Sequence, residues 1–546
     1  MSQEPNPPRL ARHARRRRPW MAALVALPAL AGAAPHADVV IWGGLVYTGG
    51  KEPAFATDVV ITGDTIRYVG PSAAKMYSAS MVIDARGKIV APGFIDAHTH
   101  PDTYVRSPDA RERLNAPWLY QGVTTLLVGV DGAGTPDVAL ERAAFERAKI
   151  GTNLVPYVGF AAVRERVLGE ADRAPTDAEL RQMKALVAKG MCEGAIGLST
   201  GLFYPPQSFA KTDEVIALAR EAAKRGGIYD THQRDESSYS IGLLNSVREV
   251  LDIGREAGLP VHIAHIKALG VDVHGEAPRV IRMIDTARAN GEDVTADEYP
   301  WTASGSSLEA ALLPRAAFDG GRPALLKRLA DPEQRAAIRV AMLENLRRRG
   351  GAESLLLTAA GSPWVGKTLA KLAAEWQVEP VDAALKVIAE TEGQDAVASF
   401  NMIEDDVKAF MKQDWVVTSS DGSDGHPRQF ATFPEKYVKY VKGAGVIGVD
   451  EFIRGSTGRT ADMFRLPRRG YLKAGYYADL VIIDPEHYAP KADYVHPREL
   501  STGVVDVWVN GQQVIELGRL TGRAPGRVLL HTPRPGSCAA PARRAS

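Results

Sequence analysis

Two histidines one residue apart, in the segment GFIDAHTH at residues 93–100, are the first candidates for chemistry in this sequence. Residues two apart in a strand point to the same face, so His98 and His100 would project together from the end of a short apolar run. Such a pair can bind a metal ion, but histidines also occupy strand ends for structural reasons. The pair alone leaves both interpretations open.

Three more polar side chains follow apolar runs in the same way. His232 ends the segment GIYDTH, His265 ends VHIAH, and Asp421 follows WVVTSS. Imidazole and carboxylate ligands together suit Zn²⁺ or a similar divalent ion. If these residues were only structural, their repeated occurrence at the ends of different strands would be a coincidence each time. We therefore expect them to bind metal together with His98 and His100. We also expect Asp421 to be catalytic, as the general base and acid for a metal-activated water.

The elements that would position these residues alternate between strand and helix. Apolar runs of strand length recur eight times between residues 93 and 419, separated by helical patterns such as DEVIALAREAAKRGG, which ends at glycine. The pattern predicts an α/β fold with a (β/α)8 TIM barrel at residues 93–470, whose active site lies at the carboxyl ends of the strands. The segment at about 305–400 is too long for one crossover, so we expect an insertion near the barrel mouth.

Short alternating strands flank this barrel on both sides. Residues 38–92 and 471–530 contain segments such as DVVIWGGLVYTG and ADLVIIDPE, which are rich in Val and Ile with Gly and Asp at the turns. Neither piece can cover its own apolar face. We therefore predict one small β-sandwich built from both chain ends.

The two ends of the chain differ from the rest in composition. The basic run RLARHARRRRPW precedes the apolar segment MAALVALPALAGAA, which is too short to span a bilayer. This order is typical of a secretory signal and resembles a twin-arginine signal. We predict a signal peptide at residues 1–37 and a periplasmic or secreted protein; a basic tail beside a membrane anchor is the alternative. Residues 531–546, rich in Pro and Ala, are predicted to be disordered.

Charge and cysteine content exclude several classes of function. The chain of 546 residues carries a net charge of +1, so no overall field favours nucleic acid. Cys192 and Cys538 provide neither a disulfide framework nor a CxxC metal site, so any metal must be held by histidines and carboxylates. We expect a small-molecule substrate, no nucleic-acid partner and no stable membrane span in the mature chain. The sequence does not predict an oligomeric state.

The combination of motifs resembles the amidohydrolase superfamily. HxH, His, His and Asp on successive barrel strands carry this resemblance, and the segments GAIGLSTGLFYPP, THQRDE, DVTADEYPWTASG and HPRQFATFPEKYVKYV look like its D-aminoacylase branch, the N-acyl-D-amino-acid deacylases. The similarity extends from about residue 38 to about residue 530. It implies a hydrolase that cleaves the amide bond of N-acyl-D-amino acids, or of dipeptides with a C-terminal D-residue, using one or two Zn²⁺ ions. Mn²⁺, Co²⁺ and Fe²⁺ are alternatives.

Two positions matter for how this resemblance applies to the metal site. Many amidohydrolases carry a metal-bridging carboxylated lysine at strand 4, whereas AIGLSTGL contains none, as in the D-aminoacylase branch. That branch usually presents a cysteine ligand after strand 2, and GVTTLLVGVDG has Asp131 there instead. Asp131 is either a turn residue or a replacement ligand that can bridge two ions, and we predict the ligand. Because a carboxylate is harder than a thiolate, the selection of zinc would be weaker.

The same resemblance implies an anchor for the substrate. Lys267, Tyr299 and Arg428 match the residues that hold the α-carboxylate in this branch, and a guanidinium binds a carboxylate in a bidentate way. His262, three residues before His265, is interpreted as structural. Arg315 is considered for an acidic side chain, with a solvated helix position as the alternative.

Two other functions stay open at this point. A cyclic-amide or lactone hydrolase would share the metal site but would not need an anchor for a free α-carboxylate. A non-catalytic amidohydrolase-like scaffold would have lost metal ligands, whereas this sequence keeps them.

Overall fold

The computed structural model describes residues 34–538. Most of the signal peptide predicted at residues 1–37 lies outside the described residues. The predicted boundary between signal peptide and sandwich, at residue 38, falls inside strand β1 (His36–Val46). The strand begins earlier because Ala37 packs into an apolar cluster with Val40 and Val60. Within the described part of the chain, no helix is long and apolar enough to cross a membrane.

The segment before the barrel contains the first strands of a sheet. After β1 come β2 (Phe55–Thr62), β3 (Thr65–Gly70), the short helix α1 (Ala73–Met76), β4 (Ser78–Asp84) and β5 (Ile89–Pro92). β2 lies antiparallel between β1 and β3, whereas β4 and β5 run parallel to β1.

The barrel begins with strands that each overlap one of the predicted apolar runs. They are β6 (Phe94–Asp96), β7 (Val123–Val128), β8 (Asn153–Pro156), β9 (Val158–Gly159), β10 (Gly197–Gly201), β11 (Ile228–His232), β12 (Val261–Ile263) and β13 (Val294–Glu298). The helices between them are α2 (Asp102–Val105), α3 (Ala116–Leu119), α4 (Val138–Ala148), α5 (Phe160–Leu168), α6 (Asp177–Cys192), α7 (Thr212–Lys224), α8 (Leu243–Ala257) and α9 (Ala277–Ala289), with 3₁₀ turns at Glu112–Leu114 and Gln207–Phe209.

Local sequence accounts for the helix ends. Thr176 and Glu179 form a capping box at the start of α6, in which each side chain accepts from the other residue's backbone N–H. α8 ends at Gly258, whose φ of 73° lies in the left-handed region that glycine adopts without strain.

The insertion predicted at about 305–400 contains a sheet as well as helices. Its elements are β14 (Ala303–Ser306), α10 (Leu308–Leu312), a 3₁₀ turn at Arg315–Phe318, α11 (Gly321–Ala330), α12 (Pro332–Arg348), a 3₁₀ turn at Ala352–Ser354, β15 (Leu355–Leu357), α13 (Leu369–Trp376), α14 (Pro380–Thr391) and β16 (Val397–Phe400). β16 lies antiparallel between β14 and β15. An apolar core of its own, which includes Leu325 and Met342, makes this insertion a separate packing unit.

The barrel strands close after the insertion. The elements there are α15 (Glu404–Met411), β17 (Val416–Thr418), α16 (Arg428–Glu435), a π-helical segment (Lys436–Gly443), α17 (Val449–Gly455) and α18 (Gly458–Met463). Parallel pairing runs β6–β7–β8 and β9–β10–β11–β12–β13–β17, and β8 and β9 are separated only by Tyr157. The Asp421 N–H donates to the His98 carbonyl at 2.9 Å, and a parallel bridge joins Thr99 to Gly422. These contacts link the last strand to the first.

Both chain ends meet in one continuous sheet. The last strands are β18 (Leu480–Ile483), β19 (Val504–Val509), β20 (Gln512–Glu516) and β21 (Arg519–Leu520). Within residues 34–538 the sheet has nine strands in the order β21–β20–β19–β18–β5–β1–β2–β3, with β4 beside β1. β18 pairs antiparallel with β5, which joins the two halves.

The C-terminal tail differs from its prediction. The sequence predicts disorder at residues 531–546, of which 539–546 lie outside the described residues; within 531–538, the His531 and Arg534 N–H groups donate to the carbonyls of Gly194 and Arg225 at 2.9 and 3.1 Å. Cys192, at the end of α6, forms a disulfide with Cys538. Composition could not show this, because the pairing depends on where the fold places two residues 346 positions apart.

Candidate metal centre and active site

The carboxyl ends of the barrel strands bring all six predicted metal ligands together. His98 and His100 follow β6, Asp131 follows β7, His232 ends β11, His265 follows β12 and Asp421 follows β17. Their ligand atoms form three overlapping groups in which all atoms lie within 4.8 Å of one another: His98, His265 and Asp421; His98, His100 and Asp131; Asp131, His232 and His265.

Asp131 lies at the middle of this arrangement. Its Oδ1 is 3.3 Å from His98 Nε2 and 3.9 Å from His265 Nε2. Its Oδ2 is 3.6 Å from His100 Nε2 and 3.9 Å from His232 Nδ1. Each carboxylate oxygen therefore faces one histidine from each side of the site, as a bridging ligand would.

Asp421 lies beside the histidine pair of strand β6. Its Oδ1 is 3.2 Å from His100 Nε2 and 3.8 Å from His98 Nε2, and its Oδ2 is 2.6 Å from Arg428 Nη1. Burial acts to raise the pKa of Asp421, but the charges of Arg428 and the imidazoles hold it well below its ordinary value. The carboxylate is therefore ionised and can accept a proton.

Three of the candidate ligands have a backbone conformation that residues other than glycine rarely adopt. Asp131, His265 and Asp421 have φ values of 53°, 33° and 47°. A residue held in the left-handed region costs on the order of 1–3 kcal/mol and persists only where the surroundings enforce it. The chain bends sharply at these strand ends, and strain of this kind concentrates at functional sites.

Several buried ligand atoms have no hydrogen-bond partner among the described residues. They include His98 Nε2 and Asp131 Oδ1. Because buried polar atoms in proteins almost always have a partner, this cluster needs a ligand of its own. Divalent ions would satisfy it, and an all-imidazole and carboxylate donor set suits Zn²⁺ and its neighbours. The residues therefore fit a metal centre.

Glu236 supports two of the histidines and was missed by the sequence analysis. Its Oε1 is 3.2 Å from His265 Nδ1 and its Oε2 is 3.8 Å from His232 Nε2. Lys267 Nζ donates to the same carboxylate at 2.7 Å. Lys267 Nζ also lies 2.7 Å from His265 Nδ1, so the two charged side chains hold that ring in place while its Nε2 faces Asp131. The only sequence signal was its position four residues after His232.

The ligands open into a cavity of about 480 Å³. The three predicted substrate residues share one wall: Lys267 Nζ and the Arg428 guanidinium lie 5.5 and 5.2 Å from the centre of the Tyr299 ring. Burial raises the pKa of Tyr299 well above its ordinary value, so its hydroxyl stays protonated. The insertion contributes a further part of the lining, which consists of Ser304, Gly305, Ser306, Arg349, Thr358 and Asp395.

Two residues considered in the sequence lie away from the cavity lining. His262 Nε2 is 2.8 Å from Asp297 Oδ2 and its Nδ1 is 2.7 Å from Thr295 Oγ1, which agrees with a structural role. Arg315 is not solvated: its guanidinium stacks 3.6 Å from the centre of the Phe203 ring. Instead, Arg349 is the arginine of the insertion that lines the cavity, and no sequence pattern pointed to it.

Comparison with known proteins gives consistent relatives. A model of the amidohydrolase family matches residues 81–515. A D-aminoacylase of Alcaligenes xylosoxydans xylosoxydans is 32% identical, over 91% of this chain and 98% of that protein. An N-acyl-D-aspartate deacylase of the same organism is 31% identical, over 90% of this chain and 95% of its own length.

Solved structures agree with these relatives. A D-aminoacylase described with a binuclear metal centre is 31% identical, with a TM-score of 0.76, covering 91% of this chain and 100% of that one. An N-acyl-D-glutamate deacylase from Bordetella bronchiseptica, complexed with zinc and a phosphonate inhibitor, is 30% identical with a TM-score of 0.77 and the same coverage. They confirm the amidohydrolase fold of TIM-barrel type expected from the sequence. The chain thus belongs to the amidohydrolase family, in its D-aminoacylase branch.

Proposed function

We propose that this protein is a metal-dependent hydrolase that cleaves the amide bond of N-acyl-D-amino acids, or of dipeptides with a C-terminal D-residue. The observation that carries the proposal is one cavity that holds both a histidine–carboxylate metal site and a cationic wall for an α-carboxylate. The D configuration follows the relatives, which are a D-aminoacylase and N-acyl-D-amino-acid deacylases. Because cyclic amides and lactones lack a free α-carboxylate, the cationic wall favours an open-chain substrate.

The six ligand side chains divide between two adjoining ion positions that share Asp131. One position would be held by His98, His100 and Asp131, with Asp421 beside the two histidines, and the other would be held by Asp131, His232 and His265. When bound, a divalent ion polarises the scissile carbonyl and lowers the pKa of water. Zn²⁺ is the expected ion, and Mn²⁺, Co²⁺ and Fe²⁺ are alternatives because no thiolate is present.

Asp421 moves the proton. As an ionised carboxylate it accepts a proton from the attacking water and then delivers it to the nitrogen of the leaving amine. Arg428 contacts Oδ2, which leaves Oδ1, on the side of the histidines, for this transfer. The products are a carboxylate and a free amino acid.

Lys267, Tyr299 and Arg428 hold the substrate's α-carboxylate. Among the described residues, the Nε atom of Arg428 has no hydrogen-bond partner, so the guanidinium keeps a donor for a second carboxylate besides the one of Asp421 that Nη1 contacts. The Tyr299 hydroxyl also has no partner. Substrate binding would satisfy all of these donors.

Arg349 supports an acidic side chain on the substrate. It is 2% exposed, and its hydrogen bonds go to the Ala311 carbonyl and the Ser399 hydroxyl rather than to a carboxylate. Asp395 also lines the cavity, but its Oδ1 accepts the Leu308 N–H and it forms no ion pair with Arg349. Because buried guanidinium groups are normally paired with anions, we propose N-acyl-D-aspartate and N-acyl-D-glutamate as preferred substrates.

A hydrolysis panel on metal-quantified enzyme tests the proposed function. It compares N-acetyl-D- and N-acetyl-L-amino acids, D-dipeptides and cyclic imides, with Asp421→Asn as the matched variant. We expect release of D-amino acids and loss of this activity in the variant. Hydrolysis of cyclic imides alone would exclude the deacylase, and a metal-free protein whose Asp421→Asn variant behaves like wild type would support a scaffold.

The proposal includes a cellular location for the protein. A periplasmic or secreted location is supported by the leader-like segment and by the Cys192–Cys538 disulfide, since disulfides persist in oxidising compartments. Thiol labelling after cell fractionation tests the location: cytoplasmic protein with free thiols would contradict export.

The nine-stranded sheet is proposed to fold over itself as a sandwich, because Val59, Leu480 and Trp508, from separate parts of the sheet, share one apolar cluster.

A further inference from the structure

The barrel interior contains a second polar cluster that the proposed mechanism does not use. One ring nitrogen of His98 and one carboxylate oxygen each from Asp230 and Asp297 lie within 4.8 Å of one another, and all three residues are 0% exposed. Asp230 lies on β11, two residues before His232, so both side chains project to the same face of the strand. Asp230 is therefore one step deeper in the barrel than the ligands.

The two carboxylates of this cluster differ in their hydrogen bonds. Asp297 is fully engaged: Oδ2 contacts His262 Nε2 at 2.8 Å, and Oδ1 accepts from the His265 N–H at 2.9 Å. Among the described residues, neither oxygen of Asp230 has a partner, and neither does His98 Nδ1. A buried carboxyl group without partners is expensive, so its retention at this position needs an explanation.

The orientation of His98 supplies that explanation. Its Nε2 faces Asp131 and Asp421 at 3.3 and 3.8 Å, so Nε2 is the nitrogen turned toward the metal centre. Nδ1 is then left to donate a hydrogen bond, and metal-binding imidazoles normally donate this N–H to a carboxylate or carbonyl. Glu236 has the corresponding position behind His265. Asp230 is the carboxyl group near His98 whose oxygens are both unengaged.

We propose that Asp230 is a positioning residue for the metal centre. It accepts the Nδ1–H of His98, directly or through one enclosed water, and so fixes the ring orientation and the tautomer that leave Nε2 free for the ion. The inference rests on the proposed function, because it takes His98 as a ligand. It adds a residue that touches neither substrate nor metal.

Zinc binding to the metal-free full-length protein tests this role without relying on activity. Competition with a chromogenic chelator gives the affinity for each ion. Asp230→Leu is expected to weaken the ion held by His98 by roughly 10- to 100-fold, which is typical for loss of such a partner. Asp230→Asn, whose amide oxygen still accepts, is expected to stay within a few-fold of wild type.

A second measurement separates positioning from a general structural role. The metal-free Asp230→Leu protein should unfold at no lower temperature than wild type, because it loses only an unpartnered carboxyl group. Thr295→Val is the matched control: it removes the partner of His262, a histidine outside the ligand set, and should leave zinc affinity unchanged. Should Asp230→Leu not fold, Asp230→Ala carries the same expectation.

The outcomes distinguish this inference from the function on which it rests. Equal zinc affinity in Asp230→Leu and wild type would overturn the positioning role alone. Equal weakening in Asp230→Asn and Asp230→Leu would also overturn it, since acceptance of a hydrogen bond would not matter. A wild-type protein that binds no zinc would instead overturn the proposed metal centre.

Discussion

Replacing Arg349 with methionine should impair the hydrolysis of acidic substrates selectively. The side chain is buried, lines the cavity and contributes a charge that no described carboxylate neutralises. One hydrogen bond to a charged group contributes about 1.5–3 kcal/mol, and about 1.4 kcal/mol corresponds to a factor of ten. Loss of the contact with a side-chain carboxylate should therefore lower kcat/KM by roughly 10- to 150-fold.

The assay compares kcat/KM for N-acetyl-D-glutamate and N-acetyl-D-glutamine, which differ by a charge at nearly constant shape. Wild type should favour the acid, and Arg349→Met should reduce the ratio while the amide substrate changes little. Arg348→Met is the matched control, because Arg348 pairs with Glu344 at 3.4 Å and does not line the cavity. An unchanged ratio in Arg349→Met, or an equal loss for both substrates, would refute the reasoning.

Four further outcomes follow from the structure. Asp421→Asn should lower kcat by roughly 10²- to 10⁴-fold as the proton carrier is lost, and a loss below tenfold in steady-state assays would contradict its role. Asp131→Ala should reduce zinc from two ions per chain to one by elemental analysis, because the two ion positions lose the ligand that they share; equal stoichiometry would count against bridging. Burial lowers the pKa of Lys436 to about 8 in the folded protein, whereas the unfolded chain keeps this proton up to about pH 10.4. The free energy of unfolding of wild type, measured with urea, should therefore rise by about 3 kcal/mol relative to that of Lys436→Met as the pH increases from about 8 to about 10.4. Cys192→Ser should cost about 2–5 kcal/mol of stability in thermal unfolding and leave activity at 25 °C unchanged, and an unaltered midpoint would show that the disulfide does not constrain the fold.

The barrel and its ligands were accessible from the sequence because each is encoded locally. His232 and Asp421 directly follow apolar runs, and a parallel strand that ends at a polar residue delivers that residue to the same edge as its neighbours. Asp131, in contrast, was predicted from the resemblance to a branch that carries a cysteine at this position, because its place after a strand fits a turn residue equally well. The structure brings all of these side chains within a few ångströms of one another.

The remaining features depend on packing between distant segments. Arg349 reaches the cavity only because the insertion, with its own apolar core, docks over the strand ends. Arg315 is partly buried because Phe203 and Tyr239 provide aromatic surfaces for its guanidinium, at 3.6 and 4.8 Å from the ring centres. Glu236 lies in an irregular stretch after β11, where no periodicity predicts the direction of a side chain.

The course of the C-terminal tail has a consequence for how this molecule is made and handled. Gly194 and Arg225, which hold residues 531–538, precede β10 and β11, so the tail crosses the barrel floor at the end opposite the cavity. Because Cys538 is synthesised after every barrel strand, the disulfide can seal the floor only after the whole barrel has emerged from the ribosome. A fusion partner or solid support joined directly after Cys538 would sit on the far side from the mouth and leave substrate entry open.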